Sequence, residues 1–156
     1  MATPKRLFTA NSVHHVYNRG NQKMNLFYCK KDYDFFLEKT KQYQNINKIE
    51  IIAYCLMPNH FHLLLREPLI KTQESYYNSE IESFMHKLQT SYAKRFCGIH
   101  QNYSGKVFQG NYKSRYVKDE KYYLTLKAYI EKNPVRANLI KEEEDWPYSS
   151  QSLPLG

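Results

Sequence analysis

The chain has 156 residues, 42% hydrophobic and 24% charged, which predicts a single domain over 1–156 with a real core and excludes a disordered tail. The longest uninterrupted apolar run, Ile51 to Met57, is far too short to cross a bilayer. Lys and Arg number 23 against 15 Asp and Glu, and the net charge of +8 points to a polyanionic partner. Three widely spaced cysteines (Cys29, Cys55, Cys97) make neither a disulfide framework nor a zinc motif. With no apolar stretch of signal length behind Met1, they predict a reduced, cytoplasmic protein.

Along the chain, Val13-His14-His15-Val16-Tyr17 predicts a strand that ends in the turn Asn18-Arg19-Gly20. Asp32 reads as the N-cap of a helix to about Ile46, with Phe36, Leu37, Thr40 and Tyr43 on one side. Glu50 to Met57 predicts a strand, broken by Pro58-Asn59 and paired with a second strand, His60 to Arg66. Residues 68–78 are polar and loop-like. From Ser79, Ile81, Phe84, Met85, Leu88, Tyr92 and Phe96 follow helical spacing until Gly98. Gly105 to Val117 is a Gly-punctuated strand segment, and Asp119 caps a final helix through about Asn133, before Pro134. The order β-α-β-β-α-β-α predicts an α+β fold, the ferredoxin-like (RRM-like) split βαβ sandwich. Its antiparallel sheet would carry helices on one face, with one more helix at the C-terminus.

Three features bear on chemistry. His60 and His62 flank Phe61 on a predicted strand, so both imidazoles point to one side, about 7 Å apart, where they can converge on a divalent metal. Read alone, His-x-His is more often two ordinary strand histidines. Tyr129 and Asn133 are four apart on the last helix and share a face. An amide oxygen can complete a metal's shell beside two histidines, and a phenol one turn away is a nucleophile once deprotonated. Taken alone, that pair is more often a tyrosine at the core edge and an Asn stop signal.

The third feature is charge. No acidic residue lies between Glu82 and Asp119, a stretch holding Lys87, Lys94, Arg95, Lys106, Lys113, Arg115 and Lys118. Tyr92, Tyr103, Phe108, Tyr112 and Tyr116 are interleaved with them. Cations neutralise phosphates and aromatics stack on unpaired bases, so the stretch suits single-stranded nucleic acid. A solvated positive face with its aromatics turned inward is the other reading, and the pattern alone leaves both open.

The segment Leu56-Met57-Pro58-Asn59-His60-Phe61-His62-Leu63-Leu64-Leu65 resembles the metal motif of the HUH single-tyrosine transposases of insertion sequences. Four more blocks fit the same family in the same order: Val16-Tyr17-Asn18-Arg19-Gly20-Asn21, Val107-Phe108-Gln109-Gly110-Asn111-Tyr112-Lys113-Ser114, Tyr129 through Asn133-Pro134-Val135-Arg136-Ala137-Asn138-Leu139-Ile140, and Trp146-Pro147-Tyr148-Ser149-Ser150. The first and second of these lean towards the REP-associated tyrosine transposase branch. One departure is Asn138, where relatives often carry Gly; Asn also tolerates the left-handed conformation that ends helices.

The resemblance implies a metal-dependent enzyme that nicks single-stranded DNA beside a hairpin through a 5′-phosphotyrosine intermediate and rejoins strands. His60, His62 and Asn133 would bind Mg or Mn, and Tyr129 would be the nucleophile. Arg19, Lys106, Lys113, Arg115 and Tyr112 are the DNA-contact candidates. His14 and His15 face opposite sides of the first strand and are expected to be structural rather than ligands. A homodimer is expected of a mobile-element enzyme and a monomer of the REP-associated type. The competing reading is a noncatalytic single-stranded nucleic-acid binding module on an RRM-like sheet, which would need no such set of histidines, tyrosine and amide.

Overall fold

A computed structural model describes residues 8–71, 77–141 and 144–155. The N-terminal segment without a signal pattern and the middle of the polar stretch, 72–76, lie outside the described residues. Strands β1 (Val13–Arg19), β2 (Glu50–Met57), β3 (His60–Arg66) and β4 (Lys113–Tyr116) form one sheet in the order β2-β3-β1-β4. Every neighbouring pair is antiparallel. Helix α1 (Lys30–Asn47) connects β1 to β2, and α2 (Glu80–Ile99) connects β3 to β4. Helix α3 (Glu120–Glu131) and the single turn α4 (Asn133–Arg136) follow β4. This is the ferredoxin-like arrangement that the order of elements predicts.

Alternation along β3 divides the molecule into two layers. Phe61, Leu63 and Leu65 join Val16, Tyr54 and Leu56 in the main core, against Phe36 and Leu37 of α1 and Phe84, Leu88 and Tyr92 of α2. Leu64, on the other face, meets Ala53, Cys55, Met57 and Val117 in a smaller core closed by Leu126 and Ile130 of α3. Two helices therefore cover one face, and α3 covers the other. No helix among the described residues is long and apolar enough to cross a membrane.

The free edge of β2 is protected by the Trp146-to-Ser150 segment. Leu56 donates its N–H to the Tyr148 carbonyl at 2.9 Å, and Trp146 Nε1 donates to the Leu56 carbonyl at 2.8 Å. Tyr148 stacks on Tyr33 of α1 with ring centres 3.7 Å apart, so the tail bridges the sheet edge to the helical layer.

Three boundaries differ from the expected ones. Helix α1 starts at the cap Cys29, not Asp32. Asp32 lies inside the first turn, where Oδ2 accepts from the Tyr28 and Cys29 N–H groups and Oδ1 accepts from Arg95 at 2.6 Å. An acid that satisfies orphan amides from within the first turn leaves the same sequence trace as an N-cap. The Gly105-to-Val117 strand shrinks to Lys113–Tyr116, because Val107 to Gly110 wraps over the end of β1 instead. There Asn21 donates to the Val107 carbonyl at 2.8 Å and Gln109 to the Arg19 carbonyl at 3.0 Å. Helix α3 does start at Asp119, whose side chain accepts from the Tyr122 N–H, but it stops at Glu131 rather than Asn133. Pro134 sits in the first turn of α4, which ends ahead of Asn138 at φ 57, the left-handed conformation expected there.

Candidate active site

The two central strands place the candidate groups together. In the β1–β3 ladder Tyr17 pairs with His62 and Arg19 with His60, so four side chains share one face at one end of the sheet. The His60 and His62 rings are edge to face with centres 5.1 Å apart. His60 Nδ1 lies 2.7 Å from Asn59 Oδ1, and a carbonyl oxygen there makes Nδ1–H the donor, leaving Nε2 with its lone pair. Burial pushes the His62 pKa down to about 3, helped by His15 and His60 nearby. Burial also lowers His60, with Arg19 adding to it and a hydrogen bond to Asn133, which favours the charged ring, opposing it. Both rings are neutral at pH 7, the state in which imidazole nitrogen can ligate a metal.

Tyr129 approaches from α3. Its ring lies edge-on to His62 with centres 5.9 Å apart, and it is 39% exposed, so its phenol is open to an incoming molecule. The Arg136 guanidinium stands 4.4 Å over the same ring, a cation–π contact that links α4 back to α3. Asn133 is buried and reaches His60 with its side chain, although the helix breaks at Lys132 between it and Tyr129. The expected shared helix face is replaced by two short helical pieces, and Tyr129 and Asn133 still converge on the histidines.

In front of the two histidines opens a cleft of about 570 Å³, lined among others by Tyr17, Arg19, Lys23, His60, His62, Gln109 and Lys113, with Tyr129 and Asn133 outside its lining. Arg19 is held in place by its Nε–H donated to Gln109 Oε1 at 2.7 Å. Three cations around two neutral imidazoles suit an anion such as a phosphodiester. Among the described residues no cluster of three or more His, Cys, Asp or Glu could hold a metal. The donors brought together are two imidazoles and one amide, all neutral. Such a set fits a divalent cation that keeps its full charge and fills its remaining positions with water or phosphate oxygens.

The remaining candidates separate. Lys113 lines the cleft, while Arg115 is exposed on β4 opposite His15. Lys106 is exposed on the loop before β4 and does not line the cleft. Tyr112 requires correction: it is 7% exposed and packs in the main core, as do Tyr92 and Phe108, so it offers no face to a base. Of the interleaved aromatics Tyr116, at 56% exposure, is open to solvent. His14 and His15 do face opposite sides, His14 bonding Ser12 Oγ at 2.7 Å and His15 Nε2 lying 2.9 Å from His62 Nδ1. Sequence reasoning gave no role to Asn59, Gln109 or Arg136. All three stand within the matched motifs, and their contacts depend on how the chain turns after each strand or helix.

The profile of the family described as "Transposase IS200 like" matches residues 9–133. A Haemophilus influenzae protein named for its assignment as a REP-associated tyrosine transposase is 26% identical over 102 residues, which is 65% of this chain and 58% of that protein's length. The solved structure of a REP-associated tyrosine transposase bound to a REP hairpin superposes with a TM-score of 0.73 at 19% identity, covering 96% of this chain and 82% of that one. At that identity the superposition speaks for the fold, and both relatives carry the name of the branch that the motifs resemble. The profile match runs from just ahead of β1 through both strand histidines and Tyr129 to Asn133, and the chain belongs to the IS200-like transposase family.

Proposed function

We propose that this protein cleaves and rejoins single-stranded DNA beside a hairpin, with Tyr129 as nucleophile and His60, His62 and Asn133 as ligands of Mg or Mn. The observation that supports it most is the convergence of Tyr129 on His62 and of Asn133 on His60, from two helical pieces, while the two imidazoles line a cationic cleft. The Tyr129 oxygen attacks the scissile phosphorus and the bond to the 3′ oxygen breaks. The phenol proton is lost to solvent, and the departing oxygen takes up a proton as a free 3′-OH. The 5′-phosphotyrosine conserves the phosphodiester, so a 3′-OH can later attack it and reverse the step. His60, His62 and Asn133 would hold the divalent cation, which would supply polarisation of the phosphate and orientation of its oxygens. Arg19, Lys23 and Lys113 hold the strand by its phosphates, Arg19 preset by Gln109.

Hairpin DNA comes to this chain from the solved relative, which is described as bound to a REP hairpin. The contact of Tyr129 with His62 of its own chain supports a monomer, the state expected of the REP-associated type. The test is incubation with end-labelled single-stranded hairpin oligonucleotides from the neighbouring genome, with Mn²⁺ or Mg²⁺, on denaturing gels. A covalent adduct that needs metal and disappears in Tyr129→Phe is expected. Hairpin binding without any adduct, in both metals and with several flanking sequences, would shift the reading to a binding module.

A further inference from the structure

One buried imidazole lies directly behind the histidines of the cleft. His15 on β1 and His62 on β3 have Nε2 and Nδ1 2.9 Å apart, their rings lie edge to edge with centres 5.1 Å apart and planes within 22°, and they are only 6% and 8% exposed. The Tyr17 ring lies 4.8 Å from His15 and 5.8 Å from His62, so neither imidazole has room to swing away. Two neutral imidazoles can share one hydrogen bond in two ways. Either His62 donates Nδ1–H to His15 Nε2, which leaves Nε2 of His62 with a lone pair, or His15 donates and the His62 proton sits on Nε2. The second arrangement blocks that nitrogen as a ligand.

We propose that His15 is a positioning residue: it accepts the Nδ1–H of His62, fixes that ring in the Nδ1–H tautomer and keeps Nε2 open towards the cleft for a divalent cation. His60 is oriented in the same sense from Asn59, so each histidine of the pair has its Nδ1 held by a neighbour. The use made of the open nitrogen rests on the metal-dependent reading above, whereas the tautomer does not.

The experiment uses the full chain with ¹⁵N-labelled histidine, in the wild type, His15→Phe and His15→Gln. Without metal, NMR of the His62 ring nitrogens is expected to show Nδ1–H in the wild type and in His15→Gln, whose amide oxygen can accept the same proton, but not in His15→Phe. Mn²⁺ titration followed by electron paramagnetic resonance should show affinity falling at least about tenfold in His15→Phe and less than about threefold in His15→Gln. Wild-type His62 as the Nε2–H tautomer would overturn the proposal. So would a His15→Phe that keeps both tautomer and affinity, or a Gln variant that loses as much as Phe, which would leave His15 a packing role alone. Wild-type protein that holds the Nδ1–H tautomer yet takes up no Mn²⁺ overturns the metal reading and with it the purpose given to His15.

Discussion

At Gly20 the backbone leaves no space for a side chain: a Cβ there would lie 2.1 Å from the Met24 carbonyl oxygen. The residue follows Arg19 and donates its own N–H to the Asn59 carbonyl at 2.8 Å, so it fixes the floor between two groups of the cleft. Gly20→Ala forces that backbone apart, and a loss of about 1–3 kcal/mol is expected in urea unfolding, with hairpin affinity weakened as Arg19 shifts. Single residues were legible in the sequence to different degrees. His60 and His62 are two apart on one strand, and period 2 alone puts them on one face. His15 was not legible as their neighbour, because the contact spans 47 positions and depends on the β1–β3 register. Tyr112 and Tyr116 each stand next to a basic residue in the same short segment, and only packing separates the buried one from the exposed one.

Among the elements, α3 has the most to lose from small changes, since it holds Tyr129 over the histidines while most of its surface faces water. Its cap is Asp119, which accepts from the Tyr122 N–H at 2.8 Å. Asp119→Ala should cost ~1 kcal/mol of stability and lower adduct formation more than hairpin binding, because binding cations lie elsewhere. Comparing adduct yield with hairpin Kd in the same variant checks this, and an equal loss in both would contradict it. Both long connecting helices were legible from apolar spacing and their stops. The start of α1 was not, since Asp32 works from inside the helix and its partner Arg95 comes from α2. With Asp32 buried, Asp32→Ala strands that guanidinium and frees two amides. A loss of about 3 kcal/mol is expected in denaturant unfolding, with no direct effect on the cleft.

Across the whole molecule, the buried imidazoles make the fold acid-sensitive. Desolvation lowers His14 and His15 to about 4 each, with Arg115 adding to the shift of His15. Between pH 6.5 and 4 the unfolded chain takes up protons on these rings while the folded chain does not. The stabilisation is therefore complete above pH 6.5 and is lost as pH falls, by about 2 kcal/mol for each ring by pH 5. Urea midpoints at pH 7, 6 and 5 check this, and a flat series would contradict it. The order of elements, and with it the ferredoxin-like fold, was legible, because strand and helix periods alternate cleanly from β1 to α2. The second core was harder to foresee: its residues come from β2, β3, Val117 and α3, and no single segment displays them as a pattern.

That smaller core has a consequence for how the protein would fail. The histidines ride on β3, a central strand buried between both layers, whereas Tyr129 rides on a helix held down mainly by Leu126, Ile130 and their few neighbours. Opening free energy scales with the apolar contacts broken, so α3 can detach in a sub-global fluctuation that leaves the sheet intact. On gentle warming, the amide protons of α3 should exchange with solvent ahead of those of β1 and β3. A protein in that condition would still look folded by most measures and still present its cationic cleft, but with its tyrosine out of register it would have fallen silent well below its melting temperature.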